Sequence, residues 1–252
     1  PIVIGGDWNE DEFTNGVTDL TPPNTTITSG VADGGWSSIA SPVFGWIGAD
    51  DISLPGTLRY ETSVDGGAYS APTFSTSGTF GPLADGPHTL AVVAIDQVGN
   101  IDPTPALRAF TVDLTAPDTQ VLTGPAESST ISTATASFTV AGTDNLAAPA
   151  QLLFSWRMDG SAYGAFSSAT TINLTGLSNA THTLDVRAQD LAGNIDATPV
   201  TRHFNVLVPV APKPVLVAGP AAAGWSGSTT SFTWTLGAHT ALPANITYAT
   251  RL

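Results

Sequence analysis

The chain repeats itself at one fixed distance. Leu20-Thr21-Pro22-Pro23-Asn24-Thr25 returns as Leu114-Thr115-Ala116-Pro117-Asp118-Thr119, and Asp65-Gly66 with Ala68-Tyr69 returns as Asp159-Gly160 with Ala162-Tyr163. His88-Thr89-Leu90 returns as His182-Thr183-Leu184, and Asp96 with Gly99-Asn100-Ile101-Asp102 returns as Asp190 with Gly193-Asn194-Ile195-Asp196. Every pair lies 94 positions apart without a gap, and 35 of those 94 aligned positions are identical. A period of this kind limits the fold more than any local signal does. One unit must close within its own repeat, twice, on a core that each copy supplies for itself. A domain of this size buries somewhat over 60% of its unfolded surface and is expected to be stable by about 5–10 kcal/mol.

A third copy begins. Ser231-Phe232-Thr233 aligns with Ser137-Phe138-Thr139, and Tyr248, Arg251 and Leu252 fall on Phe154, Arg157 and Met158. The pattern stops short of its Asp-Gly turn, so further repeats are expected beyond Leu252. Residues 1–19 do not fit the repeat and read as an acidic leader. The expected organisation is therefore leader 1–19, repeat 20–113, repeat 114–208, and linker with a truncated repeat over 209–252.

Within a repeat, apolar residues alternate with polar ones, the period of a half-buried strand. Phe138 and Val140 share one face, as do Leu152, Phe154, Trp156 and Met158, then Ile172 and Leu174, then Leu184, Val186 and Ala188, then Phe204 and Val206. The first copy matches with Phe44 and Trp46, Leu58, Tyr60 and Val64, Phe80, Leu90, Val92 and Ala94, and Phe110 and Val112. Trp46, Trp156 and Trp234 are read as core. First strands near Thr119–Thr123 and short ones near Ala162–Phe166 bring the expectation to about seven per copy. Asp65-Gly66, Asp159-Gly160, Gly99-Asn100 and Gly193-Asn194 supply the positive φ of tight turns. Pro82, Pro87, Pro103 and Pro105 are expected outside strand interiors. A single Lys (Lys213) and a charged fraction of 11% leave few helix-forming residues. The expectation is an all-β chain of tandem antiparallel sandwiches.

The run Leu83-Ala84-Asp85-Gly86-Pro87-His88-Thr89-Leu90, then Ala94-Ile95-Asp96-Gln97-Val98-Gly99-Asn100-Ile101-Asp102, closing at Phe110-Thr111-Val112-Asp113, resembles the bacterial immunoglobulin-like repeat of large secreted and surface proteins. Its last two strands are similar to fibronectin type III modules. The resemblance covers residues 20–208 and the partial copy. It implies seven-stranded Ig-like or FN3-like sandwiches with an extracellular or cell-surface home. Such repeats serve as stalks, filaments, adhesins and enzyme spacers alike, so the fold does not choose among them.

The two joints carry Pro117, and Pro209, Pro212 and Pro214, which favour extended chain. A semi-rigid rod is expected, elongated by small-angle scattering. With 21 acidic residues against 7 Lys plus Arg, the net charge of −14 supplies no basic footprint for nucleic acid and opposes an anionic membrane surface. No apolar run reaches the ~20 residues of a membrane span. Without Cys there are no disulfides and no thiolate metal sites.

In the leader, Asp7, Asn9, Asp11 and Asn15 stand at the one-three-five-nine spacing of a calcium loop, where alternate oxygens turn toward a hard cation. Glu12 stands where the sharp turn needs Gly, and Asp19 falls one residue past the twelfth position. The alternative is a solvated acidic linker, and titration with Ca²⁺ decides between them. Pro1–Gly6 is an apolar stretch (Ile2, Val3, Ile4) that a fibre subunit is expected to use by adding as a strand to a partner's sheet. Asp96, Asn100 and Asp102, with their counterparts, read as turn architecture before metal ligands. Asp50-Asp51 and Asp144-Asn145 are lesser oxygen donors near a domain joint. His88 and His182 have no Ser in a strained nucleophile turn beside them, and duplicated positions about one domain apart do not converge, so no catalytic set is assigned. Trp36 and Trp225 each follow Gly in a loop; they stack on a sugar or a neighbouring subunit, or close the sandwich end. Asn24, Asn173, Asn179 and Asn245 are glycosylation sequons.

The first reading is a non-catalytic structural protein, a stalk or fibre component meeting other protein subunits or cell-surface components. Two alternatives stand beside it: an adhesin or carbohydrate-binding module that contacts glycans through Trp36 and Trp225, and a spacer of a large secreted hydrolase.

Overall fold

The computed structural model describes residues 19–211, 213–218 and 233–236. Among these there is no α-helix; the chain is strand, turn and two single 3-10 turns. It divides into two compact units. One ends at Thr115 and takes in Ala192–Asn194, and the other starts at Ala116.

The first unit holds β1 (Asn24–Ser29), β2 (Gly35–Ser37), β3 (Val43–Ala49), β4 (Arg59–Val64), β5 (Ser77–Thr79), β6 (Gly86–Ile95) and β7 (Ala106–Val112). They form two sheets, in the orders β1-β3-β5 and β2-β7-β6-β4. The second unit repeats the plan with β8 (Asp118–Thr123), β9 (Ser129–Ile131), β10 (Ala136–Thr143), β11 (Leu153–Met158), β12 (Thr171–Leu174), β13 (Thr181–Gln189) and β14 (Val200–Val206). Its sheets run β12-β10-β8 and β11-β13-β14-β9. Each unit is thus a seven-stranded β-sandwich. Beyond them β15 (Pro214–Ala218) pairs antiparallel with β16 (Thr233–Leu236), the same partnership that β8 makes with β10.

Alternation places the cores. Phe44, Trp46, Leu58, Tyr60, Leu90, Val92, Phe110 and Val112 fill the first sandwich. Phe138, Val140, Leu152, Phe154, Ile172, Leu184, Val186 and Phe204 fill the second. Trp46 buries its ring and donates its indole N–H to the Ser75 carbonyl at 3.1 Å, so its one polar atom is satisfied.

Four expectations need correction. The sandwiches are not wholly antiparallel: β2 runs parallel to β7, and β9 parallel to β14. Ala162–Phe166 is not a strand. That stretch hooks irregularly onto β11, where Gly164 donates to the Trp156 carbonyl at 3.0 Å and Phe154 exchanges N–H···O bonds with Ser167. Pro87 is the second residue of β6, tolerated because it stands at the strand's very start. Trp156 is not core. It shares a face with Phe154, but it sits near the end of an edge strand and keeps 38% of its surface exposed. Trp234 lies in β16, and its side chain is outside the description.

Candidate functional site

Asp7, Asn9, Asp11, Asn15 and Trp225 lie outside the described residues. Trp36 is not a loop residue: it stands in the three-residue strand β2, opposite Thr111 of β7, and is half-buried.

The repeated histidines face repeated aspartates. His88 Nδ1 is 2.7 Å from Asp65 Oδ2 and its Nε2 is 2.9 Å from the Ala84 carbonyl. His182 Nδ1 is 2.8 Å from Asp159 Oδ2, and its Nε2 is 3.1 Å from the Ser178 carbonyl. A carboxylate and a carbonyl both accept, so both contacts are hydrogen bonds at once only when the ring is protonated and donates from both nitrogens. Burial depresses the His88 pKa, but the Ala84 carbonyl and Asp65 outweigh it and hold the ring above the ordinary histidine value. The Asp159 hydrogen bond leads the same upward shift at His182. Burial pushes Asp65 and Asp159 up, yet the bonds from His88 and Thr89, and from Thr183 and His182, bring both below the ordinary carboxylate value. A doubly engaged imidazolium has no lone pair for a general base; these groups pin the Asp-Gly turns to β6 and β13.

A pH dependence follows. Raised histidine values stabilise the fold fully below about pH 6.5, and that contribution is lost as pH rises through the folded-state value. Lowered aspartate values stabilise it above about pH 3.8 and fade below that. Thermal unfolding should therefore occur at higher temperature at pH 5.5 than at pH 8.5. The double variant His88→Gln, His182→Gln should flatten that difference. An equal fall in the variant would show that other groups set it.

A second cluster is acidic. Asp19, Asp50 and Asp51 each bring a carboxylate oxygen to within 4.8 Å of the others, and Asp19 is only 5% exposed. Asp50 Oδ2 accepts from Ile52 and Ser53 at 3.1 and 2.6 Å, and Asp19 Oδ1 accepts from Thr21 at 3.2 Å. Asp96 behaves as a turn residue. Its Oδ1 takes the N–H groups of Val98, Gly99 and Asn100 at 3.0, 2.6 and 2.7 Å. The Asn100 amide donates to Asp96 Oδ2 and to the Asp19 carbonyl, which ties this turn to the first described residue. Burial, followed by the charges of Asp50, Asp96 and Asp51, holds the Asp19 carboxyl above its ordinary value against the Thr21 N–H.

Such repulsion costs stability as pH rises and the group ionises. Asp19→Asn keeps the acceptor for Thr21 and should raise the melting temperature at pH 7.5 while leaving it unchanged near pH 3. A fall in a calcium-containing buffer would instead mark the cluster as a cation cage. Sequence reading placed Asp19 in the leader, although its counterpart 94 positions on is Asp113, just as Asp50 matches Asp144 and Asp96 matches Asp190.

The second unit also carries an open groove of about 480 Å³, between the edge strands of its two sheets. Trp156 and Met158 of β11 form one wall, Leu174–Ser178 the other, and Asp159 and His182 lie in it. Sequence reading missed this groove because it assigned Trp156 to the core.

No family model matches the chain, and no curated protein matches it. Solved structures do. The fibronectin(III)-like modules of Clostridium thermocellum CbhA are 14% identical over 73% of this chain and 94% of that one, with a TM-score of 0.46. The chicken CNTN1 FN1–FN3 domains are 12% identical over 73% and 66%, with a TM-score of 0.43. A 1.5-MDa bacterial ice-binding adhesin is 16% identical over 75% and 66%, with a TM-score of 0.39.

Proposed function

We propose that this chain is a non-catalytic structural segment of a secreted or cell-surface protein, a run of sandwiches serving in a stalk or fibre. The observation that carries this reading is how the duplicated polar residues are used. Asp65 and Asp159, His88 and His182, and Asp102 and Asp196 each hold a turn or join strands within their own unit. What the duplication kept is the means of building one sandwich. Repeating a module multiplies length and attachment points, which suits a load-bearing spacer. The net charge of −14 keeps such a chain dispersed in an aqueous exterior. No helix among the described residues is long and apolar enough to cross a membrane.

The test is location and form. Antibodies raised against residues 20–208 should decorate appendages or secreted fibres of intact cells in electron micrographs. Labelling confined to permeabilised cells would overturn the reading.

A further inference from the structure

We propose that the groove of the second unit is a subsite for one ring of a neutral polysaccharide. A sugar ring offers an apolar C–H face and a rim of hydroxyls. Its recognition needs an exposed aromatic plate beside fixed hydrogen-bonding groups. Trp156 supplies the plate: a large aromatic with 38% of its surface open, next to Met158 at the groove wall.

Asp159 supplies the fixed group. Its side chain is 49% exposed, and its two oxygens each take one donor, His182 Nδ1 at 2.8 Å and the Thr183 N–H at 2.8 Å. A carboxylate offers about four acceptor positions, so roughly two remain for hydroxyls. The His182 ring, 8% exposed, locks the carboxylate from behind, and binding then needs no rearrangement of it. Ser178 Oγ lies 3.5 Å from His182 Nε2, at the outer limit of a hydrogen bond, and is loosely enough held to turn toward a ligand. The Asp159 carboxylate is already bonded to His182, while the overall charge of −14 repels an anionic polymer. A neutral chain meets no such barrier.

The duplication provides an internal control. Asp65 and His88 reproduce the fixed pair in the first unit at 2.7 Å. The recognising groups are not reproduced: Thr62 stands for Trp156 and Ala84 for Ser178. Phe80, matching Leu174, packs its ring inward at 6.0 Å from Phe44 and 6.1 Å from Trp46. Both units share the scaffold, and the second alone pairs it with an aromatic plate and a hydroxyl.

The experiment titrates the full chain with cellohexaose, mannohexaose and chitohexaose and follows the tryptophan indole N–H signals by NMR. Saturable binding of at least one should shift the Trp156 signal. Trp156→Thr, which installs the residue the first unit has there, should weaken binding at least about tenfold, about 1.4 kcal/mol, with unchanged circular dichroism. Ser178→Ala should weaken it a few-fold, and Trp36→Ala should leave it unchanged. No shift of the Trp156 signal up to about 10 mM sugar, or full binding by Trp156→Thr, overturns the proposal. Either result leaves the stalk reading to the labelling experiment.

Discussion

Asp196→Ala should destabilise the second unit by about 3–5 kcal/mol, and Asp102→Ala should do the same to the first. Asp196 is 3% exposed and gathers donors from separate parts of the sandwich. Its Oδ2 accepts from the Thr119 hydroxyl of β8 at 2.6 Å, and its Oδ1 accepts from the Thr198 N–H and hydroxyl at 2.8 and 3.0 Å. Thr119 in turn accepts the Ala188 N–H of β13 at 2.8 Å, so one buried chain of hydrogen bonds staples the two sheets. Asp102 repeats the device: Thr25 N–H reaches its Oδ2 at 2.7 Å, and Ala94 N–H reaches the Thr25 hydroxyl at 2.8 Å. Hydrogen bonds to a charged group contribute about 1.5–3 kcal/mol each, and removing the acceptor strands several buried donors.

Burial pushes the Asp102 carboxyl up, but the Thr25 hydroxyl, the Thr104 N–H and hydroxyl, and the Thr25 N–H outweigh it and leave the group below its ordinary value. Its stabilisation is present above about pH 3.8 and is lost as pH falls through the lower folded-state value. Urea unfolding of Asp102→Ala should accordingly approach wild type in strong acid. A loss under about 1 kcal/mol at pH 7 would mean that water replaces the carboxylate, and the staple would carry no weight.

Gly30→Ala and Gly124→Ala should each cost about 3 kcal/mol or more, from two sources that act together. The backbone there has φ of 114° and 135°, a region almost closed to residues with a Cβ. The added methyl would also collide with the buried rings of Phe44 and Phe138, with the Phe44 Cγ at 2.8 Å and the Phe138 Cε1 at 2.9 Å. Those rings have no exposed surface and cannot retreat without opening the core. Gly160 is the control. Its φ is 73° and nothing lies within 4 Å of an added Cβ, so Gly160→Ala should cost only about 1 kcal/mol. Equal losses at Gly124 and Gly160 in chemical denaturation would show that the ring collision is relieved.

Most of the sandwich was legible because alternation reports which face a residue takes, and the duplication let each copy check the other. What alternation does not report is depth. Trp156 has the parity of Phe154 and lies on the correct face, but near the end of an edge strand that face opens into a groove. The three-residue strands β2 and β9 are too short to show a period, and their parallel pairing joins residues far apart in sequence, Gly35 with Phe110 and Ser129 with Phe204. The hook over Ala162–Phe166 carries strand-like residues, and Tyr163 there packs under the guanidinium groups of Arg187 at 3.9 Å and Arg157 at 4.6 Å, but its ties to β11 are isolated bonds at Gly164 and Ser167 and not a continuous ladder. Asp19 was obscured by its place one residue before the repeat.

That hook has a wider consequence. β4 and β11 end their sheets, and an uncovered end strand invites pairing with another chain. In both units the segment after the Asp-Gly turn comes back to occupy those groups, Thr73 on Tyr60 and Ser167 on Phe154. Modules that share so much sequence are at risk of swapping strands or clumping while they fold. Covering β4 and β11 takes one end strand of each near-twin out of reach of its sibling on the same polypeptide.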